Sequence, residues 1–170
     1  EKIHIGNLES FNNERKVEGK QIKIENENFY KISNVDNMRP FFMSIVSNSN
    51  HWMFISSTGS LSAGRKNSEY ALFPYYTDDK ITESSETTGS KTILIIKKSG
   101  KNYLWEPFSE KYSGIYNISR NIYKNTIGNK IIFEEINHDL NIEVNYQWNS
   151  SNKYGFVRKS FIKNNCDNQI

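Results

Sequence analysis

Residues 140–148 read LNIEVNYQW, and this stretch decides the fold class because apolar and polar residues alternate along it without a break. Its leucine, isoleucine, valine, tyrosine and tryptophan lie on one side, and its asparagines, glutamate and glutamine lie on the other. Successive side chains of a β-strand point to opposite faces, so a period of two predicts a strand with one buried face and one wet face. Sheets of that kind are usually antiparallel. We also expect Trp148 to be a core residue.

Short runs of β-branched and aromatic residues continue this pattern along the chain, and Asn, Gly, Ser and Asp separate them. Such runs predict strands joined by turns. The predicted strands are 17–24, 29–35, 41–47, 51–56, 70–76, 91–98, 102–105, 114–123, 130–136, 140–148 and 155–162. No helix of three turns is predicted. The close spacing favours an all-β antiparallel sandwich in which residues 1–170 form a single domain, with a frayed tail at 164–170.

The composition is typical of one packed domain without a disulfide framework. Aromatic residues make up 14% of the chain, so large rings are available although hydrophobic residues reach only 36%. A chain of 170 residues is long enough to bury a core. Cys166 is the only cysteine in the sequence, which excludes an internal disulfide. No run approaches the roughly 18 apolar residues of a membrane span, so we expect no membrane partner.

The charge distribution does not indicate a nucleic-acid partner. Residues 1–90 carry ten Lys/Arg and twelve Asp/Glu, whereas residues 91–170 carry twelve and seven, for a net charge of +3. Nucleic-acid binders concentrate basic residues in a stripe. Here Lys97, Lys98 and Lys101 flank a predicted hairpin turn and are interpreted as a solvated rim. No signal-peptide pattern is visible, and we expect a cytoplasmic protein.

The sequence predicts no complete active site, no metal site and no cofactor. His4, His51 and His138 lack the short spacings of metal ligands. A glycosidase needs two carboxylates that face one bond, but the adjacent pairs at 78–79 and 134–135 would point to opposite faces of a strand. The small-residue stretch 57–65 (STGSLSAGR) has neither the Walker A spacing nor the Gly-x-Ser-x-Gly spacing of a nucleophile elbow.

Five residues are candidates for binding a sugar. Aromatic rings stack on pyranose rings, and Trp52, Tyr75, Tyr76 and Trp105 supply such rings. The sequence leaves open whether Trp105 lies in the core or at the rim. Arg65 follows the small-residue stretch, where the backbone can approach either a ligand or another strand closely, and its guanidinium suits a carboxylate, a phosphate or a sugar hydroxyl.

Two runs carry a family resemblance: FFMSIVSNSNHWMFISSTGSLSAGRKNSEYALFPYYTDDKI from residue 41 and KNYLWEPFSEKYSGIYNISRNIYKNTIGNKIIFEEINHDLNIEV from residue 101, followed by VRKSFIKN at 157–164. In order and spacing they resemble the N-terminal domain of cellobiose and chitobiose phosphorylase-like proteins, glycoside hydrolase family 94. The resemblance covers roughly residues 35–165. It departs from the family at the small-residue stretch, which is Gly-rich in the family.

The resemblance implies a β-sandwich of the galactose-mutarotase type, shortened relative to the family. In the family such a domain precedes an (α/α)6 barrel that holds the catalytic acid and the phosphate site. The implied function is a non-catalytic accessory domain that supports the barrel, contributes to a homodimer and shapes the mouth of the sugar site. The residues alone also allow a free-standing carbohydrate-binding module that takes an oligosaccharide, or a structural dimerisation domain.

Overall fold

The computed structural model describes residues 2–6, 15–72 and 78–166. In this part of the chain the strands are β1 (Ile3–His4), β2 (Glu18–Ile24), β3 (Glu27–Ser33), β4 (Phe42–Ile45), β5 (His51–Ser56), β6 (Leu61–Arg65), β7 (Leu94–Lys98), β8 (Lys101–Trp105), β9 (Ile118–Asn125), β10 (Lys130–Asn137), β11 (Ile142–Ser151) and β12 (Gly155–Asn164). A short α-helix, α1, spans Asp78–Glu83, and 3-10 turns occupy Val35–Asn37, Ser68–Tyr70 and Glu110–Tyr112. The predicted all-β fold class is confirmed.

The strands form two layers. One layer is a six-stranded antiparallel sheet in the order β12-β11-β10-β9-β3-β2. The second layer contains two three-stranded sheets, β4-β5-β6 and β1-β8-β7, in which only the β1–β8 pair is parallel. Ile142 and Val144 of β11 pack against the sheet that contains β7 and β8, and Tyr146 of β11 packs against the sheet that contains β4, β5 and β6. These three residues point to the same side of β11, so both small sheets cover the same face of the large sheet.

The stretch 140–148 behaves as its alternation predicts. Ile142, Val144 and Tyr146 are buried on the core side of β11, whereas the residues between them are half-buried on the other face. The Tyr146 ring stacks on Phe133 of β10, with 4.9 Å between ring centroids. Trp148 is partly buried against the same core, as predicted. The apolar period of this strand therefore fixes which face of the large sheet receives the second layer.

No strand was predicted in the small-residue stretch 57–65, but Leu61–Arg65 forms β6 beside β5. Small residues are needed there since another segment crosses the strand closely. A Cβ atom at Gly64 would lie 2.6 Å from the Trp52 ring and 2.6 Å from the Tyr70 carbonyl oxygen. Of the two explanations for the small residues, close approach to the chain itself accounts for Gly64.

Other predicted boundaries shift as well. The strand expected at 114–123 begins only at Ile118, because a turn closed by the Ile115 N–H and the Tyr112 carbonyl precedes it. The strand expected at 70–76 starts instead with a 3-10 turn, Ser68–Tyr70, and residues 73–77 lie outside the described residues. At the expected tail, β12 continues to Asn164 and the Asn165 N–H donates to the Asn141 carbonyl, while residues 167–170 lie outside the described residues, so fraying there stays a prediction. In the described ranges, no helix has the length and apolar character needed to cross a bilayer.

Candidate functional site

A buried ion pair joins the two central strands of the large sheet. Arg120 of β9 and Glu135 of β10 are directly opposite each other in the strand register, and their exposed fractions are 8% and 0%. The Arg120 Nε donates to Glu135 Oε2 over 2.7 Å. The Phe108 backbone N–H donates to the same oxygen over 2.7 Å, and the Trp105 indole Nε1 donates to Glu135 Oε1 over 2.9 Å. Both carboxylate oxygens are therefore occupied inside the protein.

The other guanidinium nitrogens of Arg120 hold the segment that follows β8. Arg120 Nη2 donates to the Ser109 carbonyl over 2.9 Å, and Nη1 donates to the carboxylate of Glu110. Burial alone lowers the pKa of Arg120, but the carboxylates of Glu135 and Glu110 outweigh burial and raise it. Arg120 is therefore a permanent cation that ties β9, β10 and residues 108–110 together.

Glu135 does not qualify as a general acid although its environment shifts its pKa in the appropriate direction. Burial raises the pKa of the Glu135 carboxyl, while Arg120 and the N–H donors of Phe108 and Trp105 oppose the shift. A glycosidase acid needs a raised pKa and also contact with the glycosidic oxygen. Glu135 is fully buried, so no substrate atom reaches it. As predicted, the adjacent Glu134 points to the opposite face of the sheet.

A cleft of about 390 Å³ opens above this ion pair, and we call it the Asp36 cleft. Its walls combine carboxylates, hydroxyls and apolar surface, supplied by Asp36, Ser57, Thr58, Glu83, Phe108, Glu110 and Arg120 among others. Carboxylate oxygens accept hydrogen bonds and hydroxyls both donate and accept. An apolar wall beside such groups suits a polyhydroxylated ligand such as a sugar, which has polar edges and apolar ring faces.

The turn between β5 and β6 places two hydroxyls at the cleft. The Ser56 N–H donates to the Ser60 carbonyl over 2.9 Å and closes the turn, and Ser57 Oγ accepts from the Phe41 N–H over 3.0 Å. Gly59 lies in this turn at a φ of 89°, and a Cβ there would lie 2.7 Å from the Tyr146 hydroxyl. Positive φ and close packing therefore both favour glycine, and Ser57 and Thr58 are held by a tightly fixed turn.

Phe108 forms the apolar wall in an uncommon backbone conformation. Its φ is 66°, which is a genuine outlier for a bulky residue. The hydrogen bond from its N–H to Glu135 holds it there, and its ring meets Tyr146 edge-on at 4.9 Å between centroids. Residues in sparsely populated backbone regions cluster at ligand-binding sites. The buried carboxylate thus positions a cleft residue and has no direct access to the cleft.

Trp105 is not a rim residue, and the sugar-stacking role proposed for it is incompatible with its position. Its exposed fraction is 1%, its ring belongs to the core cluster beneath β7 and β8, and its N–H is bound to Glu135. The neighbouring core residues Ile96 and Leu140 belong to the same cluster. A ring with no open face cannot stack on a sugar, so Trp105 is structural.

The remaining sequence candidates do not converge on the Asp36 cleft. Trp52 is half-buried on the outer face of β5, and its indole N–H donates to the Asn67 carbonyl over 3.3 Å. Arg65 is exposed at the end of β6 and lines an apolar groove with Trp148, Leu72 and other residues. Tyr75 and Tyr76 lie outside the described residues, so their assignment stays a prediction.

Trp52 belongs to a row of aromatic rings whose other members, Phe54 and Phe42, were not among the sequence candidates. The Trp52 and Phe54 ring centroids are 5.7 Å apart, and the Phe54 and Phe42 centroids are 5.3 Å apart with planes inclined by 27°. Phe42 is 42% exposed. Alternation in HWMFIS places Trp52 and Phe54 on one face, which is the signal that was available in the sequence.

The ion pair also had a sequence signal. Arg120 falls in the apolar phase of its strand with Tyr116, Ile118 and Ile122, and Glu135 falls in phase with Ile131 and Phe133. A charged residue in the inward phase needs a buried counter-charge, and two such residues of opposite sign predict a pair. The sequence does not give the register between β9 and β10, which is needed to place Arg120 opposite Glu135.

Glu86 fixes the segment after α1 against one side of the cleft. Its carboxylate accepts from Lys91 Nζ over 2.7 Å and from the Glu110 N–H over 2.8 Å, and Ser109 Oγ donates to it over 3.1 Å. Burial acts to raise the pKa of Glu86, but these donors outweigh it and lower the pKa to about 2. Ionised Glu86 and Arg120 therefore both hold residues 109–110.

Comparison with known proteins leaves the family question open. No family model matches the chain, and no curated protein matches it either. Within the described part of the chain, no group of three or more His, Cys, Asp and Glu side chains is placed to hold a metal ion.

Proposed function

We propose that this chain is a non-catalytic, carbohydrate-handling accessory domain of a cytoplasmic glycoside phosphorylase-like enzyme, and that the Asp36 cleft forms part of the mouth of the sugar site. The observation that carries the proposal is that residues from both runs of the family resemblance line one cleft. The turn of the small-residue stretch 57–65 and Phe108, which follows Tyr103–Pro107, line the same cleft.

The chemistry of the cleft supports binding without catalysis. Glu110 is paired with Arg120, and Asp36 Oδ1 accepts from the Arg120 backbone N–H over 3.3 Å. Carboxylate oxygens accept hydrogen bonds from sugar hydroxyls, which is a binding role. In this proposal the catalytic acid and the phosphate of phosphorolysis belong to a separate (α/α)6 domain.

An exposed apolar groove supports a docking role for the same domain. Ile95 of β7 and Ile162 of β12 are 64% and 60% exposed, and both line a groove of about 410 Å³ between two edge strands. Contiguous exposed apolar surface is a feature of interaction sites. In this proposal the occupant of the groove is the (α/α)6 catalytic domain.

Activity of the isolated chain tests the proposal directly. We expect no release of sugar 1-phosphate when the chain is incubated with cellobiose or chitobiose and inorganic phosphate. Release at enzymatic rates would contradict the non-catalytic assignment. The parent reading frame provides a second test, because a helical barrel downstream supports the accessory role and a lone β-domain contradicts it.

A second candidate function, a free-standing carbohydrate-binding module, is favoured by the row of Trp52, Phe54 and Phe42. Calorimetry of the chain against a glycan panel separates the two functions. The module predicts binding that Trp52→Ala weakens at least tenfold and that Tyr30→Ala leaves unchanged, since Tyr30 is 49% exposed on a different sheet. Absence of binding across the panel would eliminate the module.

A further inference from the structure

A second pocket, which shares no lining residue with the Asp36 cleft, lies beside the β7–β8 hairpin and has a volume of about 290 Å³. We call it the His4 pocket, and His4, Lys98, Ser99, Lys101, Tyr103 and Tyr116 are among its lining residues. Ligand pockets usually measure about 300–1,000 Å³. At about 290 Å³ the His4 pocket lies just below this range, so it suits only a small ligand.

The hairpin turn brings two lysines to the same side of the pocket. Lys98 and Lys101 are paired in the strand register, and the two residues between them have φ values of 52° and 73°. Positive φ at both central positions defines the type I′ turn, which fits a two-residue hairpin. Directly opposed side chains of an antiparallel pair lie on the same face, so both ammonium groups project to one side of the hairpin.

Strand β1 adds His4 to the lining of the pocket. It pairs in parallel with β8 and places His4 against Tyr103, with 5.6 Å between the ring centroids. The Lys98 Nζ donates to the Asp139 carbonyl oxygen over 2.7 Å, which fixes the amine at the pocket. An ammonium group has three protons, so two remain for a ligand. Hydroxyls of Ser99 and Tyr103 supply further donors.

The charge balance of the pocket is positive. Two lysines face one carboxylate, Asp139, whose Oδ2 already accepts from the Asn117 N–H over 2.8 Å. The Tyr116 hydroxyl donates to the Leu104 carbonyl over 2.7 Å and so contributes no proton to a ligand. Among the described lining residues there is no arginine, whose planar fork binds carboxylate and phosphate alike. Donors from separate elements instead suit a tetrahedral oxyanion.

We propose that the His4 pocket binds phosphate, either as inorganic phosphate or as the phosphoryl group of a sugar phosphate. This site goes beyond the proposed function, which assigns no anion to this domain. Lysine binds phosphate as a point charge without the bidentate geometry of arginine, and the paired Lys98 and Lys101 provide two such charges.

Calorimetry with the full chain at low salt tests the proposal, using inorganic phosphate, glucose 1-phosphate and acetate as separate titrants. We expect phosphate to bind at about 1 mM or tighter and Lys98→Ala to weaken it at least tenfold. Lys97→Ala is the matched control because Lys97 is exposed on the opposite face of the same strand and does not line the pocket. It should change the affinity less than twofold.

The outcomes are distinguishable. Tighter binding of glucose 1-phosphate than of phosphate identifies a sugar phosphate as the ligand, and equal binding identifies the free ion or phosphoryl group alone. Equal losses in Lys97→Ala and Lys98→Ala, acetate binding as tight as phosphate, or no heat with phosphate would each overturn the proposal. If Lys98→Ala fails to fold, Lys101→Ala should weaken phosphate binding severalfold, and phosphate should shift the amide signals of Ser99 and Gly100.

Discussion

The two faces of the β9–β10 pair accommodate the same side chain in different ways. On the inner face, Glu135 is fully buried and is held by a guanidinium and two N–H groups. On the outer face, its neighbour Glu134 is half-buried and accepts from two neutral donors, Asn121 Nδ2 and the Tyr123 hydroxyl, each over 2.7 Å. A carboxylate at the edge of water needs no cation, whereas one in a dry core does.

Removing the cation from the inner face should produce the largest effect. Arg120→Leu leaves the Glu135 carboxylate buried without a counter-charge, and removal of one partner of a buried pair costs about 3–5 kcal/mol of the free energy of unfolding. Denaturation by urea, with the slope unchanged, measures the loss. A decrease in the free energy of unfolding of less than about 1 kcal/mol would show that Glu135 on the inner face, like Glu134 on the outer face, does not need a cation.

Replacing both charges should be less harmful than replacing one. In the double variant Arg120→Leu/Glu135→Leu no unpaired charge remains, so we expect it to be more stable than Arg120→Leu by roughly 1–3 kcal/mol. It should not regain full stability, because the N–H groups of Phe108 and Trp105 lose their acceptor. Simple additivity of the two single losses, measured by the same denaturation, would contradict the pairing argument.

The fold was largely predictable from the sequence because strand period and turn chemistry are local. The alternation at 140–148 identified the buried face of β11, and HWMFIS gave the bounds of β5 without error. β6 was missed because Leu61–Arg65 has small residues with weak strand propensity. Its pairing depends on β5 and on the close crossing at Gly64, which are tertiary effects.

The candidate site was less predictable because it depends on register and on loop packing. Arg120 and Glu135 each appeared in an inward phase, but only the pairing of β9 with β10 places them together. The position of Trp105 could not be decided from its place at the end of a hairpin. Its burial follows from the acceptor that Glu135 provides, 30 residues later in the chain.

Glu86 is intermediate between Glu135 and Glu134, since its side chain is 27% exposed, like a carboxylate near water, yet it is paired with a cation, Lys91. Its pKa in the folded protein, about 2, is below the ordinary value of 4.5. The contribution of ionised Glu86 to the free energy of unfolding is therefore complete above pH 4.5 and is lost as the pH falls from 4.5 toward 2. Hydrogen bonds to a charged group contribute about 1.5–3 kcal/mol, and we expect Glu86→Gln to cost roughly 2 kcal/mol at neutral pH.

The difference in unfolding free energy between wild type and Glu86→Gln, measured from pH 7 to pH 2.5, checks this prediction. It should shrink as the pH falls, because protonated Glu86 and glutamine are both neutral. A difference that stays constant over this range would mean that the charge of Glu86 contributes little to stability. Glu86 would then resemble Glu134, whose carboxylate needs no cation.

The smallest effect is expected on the outer face, from Tyr123→Phe. Tyr123 is 8% exposed, and burial, together with its hydrogen bond to Glu134, raises its pKa. Phenylalanine keeps the packing and removes one donor, while Asn121 still donates to Glu134 and water remains within reach of the half-buried carboxylate. The expected loss is therefore about 0.5–1.5 kcal/mol by urea denaturation. A loss as large as that of Arg120→Leu would show that the outer carboxylate is as dependent on its donors as the buried one, and the distinction between the two faces would fail.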